Sequence, residues 1–413
     1  MTFIRPLFRE ELPYFLRREL GCVLLLFFTF GITSQAGGQM SPEHVTPEDF
    51  GGVEVVHRPH GDPVDKSPGL PQAPGWPQPI AVSGWVDTKG VAFADLDEDG
   101  KLEIMAGTSG YRVYVWDYLG NPKPGWPQLL GGTASWGVAV GDVNGDGTLD
   151  TAVTAYAPVG RVYVFDPDGN LLPGWPVSFG DNRACLCPTL SDLDGDGKLE
   201  IIVGERSYSV SYAHVFRYDG TEFPGNWPFA LDHYPGTGAA VGDIDNDGEK
   251  EIIYCSLQTI YALESDGSIM PGWPYTAPTL AFYQNAPALA DFEGDGYAEI
   301  VCSGTEWNRF FVMDHRGNFL PGWPRPAPRS GGPPSVGDVD QDGDLDIAIG
   351  NYPPSYPGVV FHVLDIEANC LPGFPLTLYG GAEGPVSIAD FDGDSTMELI
   401  FENGIAVDSI GFL

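Results

Sequence analysis

The sequence predicts an all-β protein, a seven-bladed β-propeller of four-stranded antiparallel blades. Three observations lead to this prediction. An acidic loop recurs seven times, a Pro-Gly-Trp-Pro tetrapeptide accompanies it, and the segments between them alternate apolar and polar residues. A period of two residues is typical of half-buried strands, and four-stranded units repeated around an axis protect nearly all sheet edges.

The acidic loop first occurs as Asp95-Leu-Asp-Glu-Asp-Gly-Lys-Leu-Glu103, with acids at positions 1, 3, 5 and 9 and glycine at position 6. Successive copies begin 47 to 52 residues apart. The other six begin at Asp142, Asp192, Asp243, Asp291, Asp338 and Asp390. Such a period indicates seven tandem copies of one supersecondary unit.

Each unit contains signals for four strands. The first strand precedes the acidic loop and the second follows it, as in Leu102-Glu-Ile-Met-Ala. The third ends in a turn such as Asp166-Pro-Asp-Gly-Asn170, and the fourth is predicted to carry the tetrapeptide. The repeated tryptophans, such as Trp126 and Trp323, are therefore predicted to be packing residues.

The chain ends suggest how the ring closes. The seventh unit stops at Leu413 after a third strand that the hairpin signal Asn403-Gly404 introduces. The first tetrapeptide, at residues 74–77, has no unit in front of it, so it is predicted to supply the missing strand. An open solenoid is the alternative, and it would leave two edges unprotected. Residues 71–413 are the predicted propeller domain.

The N-terminal segment has a different character. Arginines such as Arg17 and Arg18 precede an apolar run from Cys22 to Ile32, which predicts a signal peptide over residues 1–36 and a leader or linker over residues 37–70. We expect a secreted protein, extracellular or at the cell surface, whose mature chain does not insert into a membrane. The alternative is an uncleaved N-terminal anchor.

Charge and cysteine content narrow the classes of partner. The chain has 57 acidic and 20 basic residues, a formal charge of -37, which disfavours nucleic acid and favours cations. The cysteines after residue 36 are too few and irregular for a disulfide framework. Cys255 and Cys302 lie in apolar runs of successive units and are predicted to be buried free thiols.

The acidic loops predict up to seven structural Ca²⁺ ions. Carboxylates at positions 1, 3, 5 and 9 and a backbone carbonyl at position 7 form an all-oxygen cage that suits this ion. The alternative, simple Asx turns, does not explain so many crowded carboxylates. The predicted metal ligands are Asp95, Asp97, Asp99, Lys101 and Glu103; Asp142, Asn144, Asp146, Thr148 and Asp150; Asp192, Asp194, Asp196, Lys198 and Glu200; Asp243, Asp245, Asp247, Glu249 and Glu251; Asp291, Glu293, Asp295, Tyr297 and Glu299; Asp338, Asp340, Asp342, Asp344 and Asp346; and Asp390, Asp392, Asp394, Thr396 and Glu398.

The tandem pattern Asp-x-Asp-x-Asp-Gly-x-x-Asp/Glu over residues 71–413 resembles the FG-GAP/VCBS repeats of exported proteins and the cation-binding blades of integrin α chains. This resemblance implies a calcium-binding propeller. It is less informative about biological role, because such repeats occur in adhesins, lectin-like proteins and some polysaccharide-active enzymes.

No catalytic motif is recognisable, so we expect no enzyme and predict an adhesion or binding module for a carbohydrate or a protein. A polysaccharide lyase or hydrolase on the same scaffold is the alternative. The connections opposite the acidic loops are rich in aromatic and polar residues, which either bind a ligand or fill the central channel. These residues are Trp85, Trp136, Arg183, Arg206, Tyr208, His233, Tyr234, Tyr283, Trp307, Arg309, Tyr352 and Tyr356.

Overall fold

The computed structural model describes residues 86–134, 137–156, 159–179, 183–206, 210–277, 286–304, 309–327, 332–351, 359–378, 384–390, 396–400 and 406–408. The predicted signal peptide, the linker and the first tetrapeptide lie outside these residues. Within them every regular element is a β-strand, so the all-β prediction is confirmed. The described residues contain no helix long and apolar enough to cross a membrane.

The strands form antiparallel sheets in chain order, and the first four sheets each have four strands. Sheet 1 contains β1 (Val86–Ala94), β2 (Glu103–Thr108), β3 (Arg112–Trp116) and β4 (Gln128–Leu129). Sheet 2 contains β5 (Val138–Gly141), β6 (Asp150–Ala155), β7 (Arg161–Phe165) and β8 (Val177–Ser178). Sheet 3 contains β9 (Arg183–Ser191), β10 (Glu200–Arg206), β11 (Ser211–Phe216) and β12 (Phe229–Leu231). Sheet 4 contains β13 (Ala240–Gly242), β14 (Glu251–Cys255), β15 (Thr259–Leu263) and β16 (Tyr275–Thr276).

Two further four-stranded sheets follow, and then a sheet with three strands in the described residues. Sheet 5 contains β17 (Ala288–Ala290), β18 (Glu299–Gly304), β19 (Arg309–Met313) and β20 (Arg325–Pro326). Sheet 6 contains β21 (Ser335–Gly337), β22 (Asp346–Asn351), β23 (Val359–Leu364) and β24 (Leu376–Leu378). Sheet 7 contains β25 (Ser387–Ala389), β26 (Glu398–Ile400) and β27 (Ala406–Asp408).

The first strands of successive sheets contact one another, from β1 through β5, β9, β13, β17 and β21 to β25. This order places the first strands along a common axis, with the later strands outside them. It is the radial arrangement of a propeller.

Alternation along the second strands divides the apolar residues between two cores. In β14, Ile252 packs toward sheet 3 and Ile253 toward sheet 5, and both are fully buried. The same division puts one apolar cluster between each pair of successive sheets, from sheets 1 and 2 to sheets 6 and 7. Because neither sheet can bury its face alone, each sheet depends on its neighbours.

The tetrapeptide precedes the fourth strand instead of lying in it, so that part of the prediction is wrong. β4 begins at Gln128, just after Pro127, and is two residues long. Prolines lack the N–H that pairs strands, and Gly125 has φ +83°, a turn conformation. A Cβ on Gly125 would lie 1.9 Å from the carbonyl oxygen of Asp168 in sheet 2, so the tetrapeptide is a contact between sheets.

The tetrapeptide tryptophans are packing residues, as predicted. Trp126 and Trp323 are each 7% exposed. Each indole Nε1 also donates a hydrogen bond to a backbone carbonyl of the next sheet's turn, at 2.7 to 3.0 Å. The five pairs are Trp126 with Pro167, Trp175 with Tyr218, Trp227 with Ser265, Trp273 with His315, and Trp323 with Ile366.

Candidate metal centre

The acidic loops connect the first and second strands of each sheet, at the same end as the turn between the third and fourth strands. Contacts between the two segments establish this. Lys198 Nζ lies 3.7 Å from the ring centre of Tyr218, and the rings of Tyr297 and His315 stack at 4.4 Å. Loop and turn therefore form one edge of each sheet, which we call the acidic edge.

The first half of each loop is a tight turn around the position 1 aspartate. In the first loop, Asp95 Oδ1 accepts the N–H of Asp99 and Oδ2 accepts that of Gly100. The bond from position 6 recurs in all six loops up to Asp346, at 2.8 to 3.2 Å. Glycine suits position 6, since Gly100 has φ +80° there. These bonds also account for the turn without a metal.

Position 4 is left-handed too, which the sequence analysis missed. Glu98, Asn246 and Gln341 have φ near +60° there, and glycine fills the same position in other loops, as at Gly145. The Gly and Asn residues at this position were the available signal.

The position 9 acid is buried in each of the first six loops. One of its oxygens accepts the backbone N–H of position 2 at 2.8 to 3.1 Å in all six loops. In the fourth loop this donor is Ile244, and Glu251 is fully buried. The other oxygen, Oε1, has no hydrogen-bond partner, and Asp150 Oδ1 in the second loop is in the same state. A buried carboxylate oxygen without a partner carries a large desolvation cost.

Among the residues that the structure describes, four groups of carboxylates have ligand atoms within 4.8 Å of one another. Three combine positions 1, 3 and 9, and the first loop combines positions 1, 3 and 5 instead. The groups are Asp95, Asp97 and Asp99; Asp192, Asp194 and Glu200; Asp243, Asp245 and Glu251; and Asp338, Asp340 and Asp346. Each of these clusters could hold a metal ion.

The fourth loop is the most complete candidate. Asp245 Oδ1, like Glu251 Oε1, is buried without a hydrogen-bond partner, so two oxygens of one cluster lack a donor. Burial raises the pKa of Glu251 to about 7, against the hydrogen bond from Ile244, and the charges of Asp245, Glu264 and Asp247 raise it further. A divalent cation would offset this repulsion, because an opposite charge favours ionised carboxylates.

Burial and neighbouring charges also raise the pKa of other position 9 acids. Burial is the largest cause in each case, and charges of the same loop add to it. The pKa is raised to about 7 for Glu200 and Glu299, and to about 6 for Asp150 and Asp346.

Other predicted ligands form hydrogen bonds within their own loops. In the second loop Asn144 Nδ2 donates to Asp146 Oδ2 at 2.9 Å. Position 7 donates its N–H to the position 5 carboxylate in all six loops, while a ligand role for its carbonyl stays a prediction. The seventh loop lies mostly outside the described residues, including Asp392 and Asp394.

The first loop contains a residue that the sequence analysis missed. Lys123 Nζ forms ion pairs with Asp97 and with Glu103, the latter at 3.4 Å. In five other units an apolar residue occupies this place before the Pro-Gly pair, as at Leu172 and Met270. That difference between repeats was the signal.

In sheet 3, His214 lies between two carboxylates that do not belong to an acidic loop. His214 Nε2 lies 2.9 Å from Glu205 Oε2, and Nδ1 lies 3.0 Å from Glu222 Oε1. Burial opposes the charged imidazole, but the two carboxylates overcome it and raise the pKa of His214. His214 and Glu205 are buried and Glu222 is exposed, so the group is a partly buried ion-pair network.

The opposite end of the sheets contains part of the predicted binding face. Arg206 lies 4.2 Å from the ring centre of Tyr234, and His233 is exposed beside it. Most of the other predicted residues lie outside the described part of the chain: Trp85, Trp136, Tyr208, Tyr283, Trp307, Tyr352 and Tyr356.

Repeated antiparallel sheets, successive contacts of first strands and an acidic loop in each repeat define a β-propeller of tandem repeats. A family profile described as FG-GAP-like repeat matches residues 95–153, 152–203, 192–254 and 291–349. These matches cover more than half of the sequence, so the chain belongs to the FG-GAP-like repeat family. No curated protein matches the chain.

Solved structures support the fold. The europium-containing methanol dehydrogenase aligns with a TM-score of 0.54 and 13% identity, covering 76% of this chain and 73% of that one. A chain in the crystal structure of BBS1N in complex with ARL6DN aligns with a TM-score of 0.50 and 13% identity, covering 78% and 92%. At this identity the likeness concerns the fold alone.

Proposed function

We propose that this chain is an exported calcium-binding β-propeller that serves as an adhesion or ligand-binding module for an extracellular carbohydrate or protein. The observation that carries the calcium part is the arrangement of the position 9 acid. In the third, fourth and sixth loops this acid accepts a backbone N–H, and its carboxylate lies within 4.8 Å of those of positions 1 and 3.

The donor chemistry favours calcium over other metals. The clusters offer carboxylate oxygens, which suit hard cations, and their described members include neither histidine nor cysteine. Calcium accepts six to eight oxygens in flexible geometry, while magnesium demands a near-ideal octahedron. In the fourth loop Asp243, Asp245 and Glu251 would hold the ion, which would supply positive charge to two buried oxygens that lack a donor.

A seven-bladed closed ring explains an otherwise exposed apolar face on sheet 1. Val91 is 48% exposed and Phe93 is 60% exposed, and they point away from the core shared with sheet 2. The corresponding residues of β5, Val138 and Val140, are packed against a core. The seventh blade, completed by an N-terminal strand that follows the tetrapeptide at residues 74–77, would cover this face and close the ring. Deleting residues 71–82 should then lower the melting temperature sharply, and an unchanged value would contradict closure.

The binding role is supported by the Arg206–Tyr234 pair. A guanidinium over an aromatic ring beside the exposed His233 offers a flat face with hydrogen-bond donors, which suits sugar or peptide ligands. The pair lies at the end of the sheets opposite the acidic edge, so binding and metal sites would be separate. A glycan and matrix-protein array, probed with wild type and with Tyr234→Ala, tests this part. Equal signals for both proteins on every ligand would reject the face.

The calcium proposal is tested by thermal unfolding with calcium and with chelator. A ligand that binds only the folded state adds about 2.7 kcal/mol per site at a hundredfold excess over its dissociation constant. Several sites should therefore raise the melting temperature substantially. Magnesium at equal concentration is the control for ionic strength.

Glu251→Gln is the matched variant, because it removes one ligand charge while retaining an acceptor for the Ile244 N–H. It should reduce the number of bound calcium ions by one in native mass spectrometry. The calcium proposal is refuted by equal melting in calcium and chelator together with no bound ions.

A further inference from the structure

Lys123 occupies a position that is apolar in five other units. Its backbone N–H donates to the Val115 carbonyl at 2.9 Å, as the Met270 N–H donates to Ala262 at 3.0 Å in the fourth unit. Lys123 and Met270 therefore occupy equivalent backbone positions in their units. The residues there are Leu172, Phe223, Met270, Leu320 and Leu371, and all belong to the cores between sheets. Lysine at this place is a departure from the repeat.

The lysine side chain turns into the acidic loop of its own sheet. Its side chain is 15% exposed, and Nζ contacts Asp97 at position 3 and Glu103 at position 9. The Glu103 side chain is 2% exposed, and its other oxygen accepts the Leu96 N–H at 2.8 Å. The Lys123 ammonium thus contacts Glu103 Oε1, the oxygen that does not accept the backbone N–H.

The same two positions come together with position 1 in the third, fourth and sixth loops, where they form the candidate metal clusters. In the first loop, Glu103 is not part of the cluster and is paired with the lysine instead. The group that remains there, Asp95, Asp97 and Asp99, has no buried member, and its Asp97 is paired with the same lysine. Arg217 reaches Asp194 in the third loop at 3.4 Å. Within the described residues, Lys123 is the one cation that joins position 3 to position 9.

The directions of the pKa shifts of Lys123 and Asp97 are consistent with an ion pair between them. Burial works against the charged form of Lys123, but the bond to Asp97 and the charges of Glu103 and Asp97 overcome it and raise the lysine pKa. The hydrogen bond from Lys123 in turn lowers the pKa of Asp97. Lysine and aspartate are both charged over the physiological range.

We propose that Lys123 is a built-in cation that takes the place of a calcium ion in the first blade, so that this blade folds without metal and binds none. The inference rests on the proposed calcium role of the other loops. It replaces the sequence prediction of a metal ion among Asp95, Asp97, Asp99, Lys101 and Glu103.

The test is the number of calcium ions bound at saturation, measured by native mass spectrometry on the full mature chain. Lys123→Met introduces the residue found in the fourth unit and should bind one ion more than wild type. Arg112→Met removes a basic residue at the start of β3, away from the acidic loop, and should bind the wild-type number, as should Lys123→Arg. In chelator, Lys123→Met should melt below Arg112→Met, and calcium should restore it.

A second pair of variants keeps the test decisive if Lys123→Met does not fold. Glu103→Gln should leave the number of ions unchanged, because the first loop already lacks one, whereas Glu251→Gln should lose one. A loss of one ion in Glu103→Gln, or an unchanged number in folded Lys123→Met, would overturn the built-in cation. A wild-type chain with no bound calcium would instead refute the calcium proposal, so the two failures are distinguishable.

Discussion

Replacing Trp273 tests whether the tetrapeptide joins neighbouring sheets. Trp273 is 7% exposed and packs in the cluster between sheets 4 and 5, beside Met313. Its indole Nε1 donates to the His315 carbonyl at 2.8 Å, in the turn of sheet 5. Trp273→Ala removes both the ring and the hydrogen bond. Trp273→Phe retains an aromatic ring and removes the bond.

The two variants should differ in size of effect. Truncating a buried tryptophan costs about 3–5 kcal/mol, so Trp273→Ala should lower the free energy of unfolding by that amount. The net contribution of a hydrogen bond is about 0.5–1.5 kcal/mol, which sets the minimum cost of Trp273→Phe. The fold accepts a phenyl ring at this place, since Phe374 is its counterpart in sheet 6 and is 9% exposed.

The measurement is urea unfolding of the calcium-loaded protein, followed by circular dichroism. Leu129→Ala is the control, because Leu129 is 67% exposed and its truncation should change the free energy by less than about 0.5 kcal/mol. A cost for Trp273→Ala below about 1 kcal/mol, or a Trp273→Phe protein as stable as wild type, would refute the reasoning.

Two further predictions concern pH. In chelator, the free energy of unfolding should fall as the pH rises from about 4.5 to about 7, because Glu251 keeps its proton to about 7 in the folded chain and loses it near 4.5 in the unfolded chain. Calcium should abolish this pH dependence. A free energy of unfolding that does not change with pH in chelator would contradict the prediction. His214 has a raised pKa, so its contribution is fully present below about 6.5 and is lost as the pH rises through the folded value. In saturating calcium, the stability difference between wild type and His214→Gln should therefore shrink above pH 6.5, and a constant difference would exclude the ion pairs.

Much of the fold was predictable because the repeat is local. The spacing of the acidic loops and the alternation of apolar residues predicted the order of strands and the faces they bury. The buried thiols were also predicted correctly: Cys255 and Cys302 are free, and their sulfurs lie 3.7 Å apart across two sheets. Each of these features follows from a pattern within a unit or between equivalent places of two units.

Contacts between different parts of neighbouring units were not predictable. The bond from Trp126 to the Pro167 carbonyl crosses between sheets, and a backbone acceptor leaves no trace in the sequence. The ion pairs of Lys123 depend on the direction of one side chain, and those of His214 on the register of β10 with β11. The tetrapeptide was predicted within the fourth strand because tryptophan is common in strands. Its prolines lack the N–H that would pair with a neighbouring strand.

The position 9 acid has a consequence for how ions are counted from sequences of this kind. Glu103 caps the Leu96 N–H just as Glu251 caps Ile244, although only Glu251 lies in a three-carboxylate cluster with position 1 and position 3. The acid is thus required by the backbone of the loop whether or not an ion is bound. A complete motif therefore accounts for the fold of the loop and does not by itself count ions. Under the proposal for Lys123, the residue that faces the loop decides whether an ion is bound.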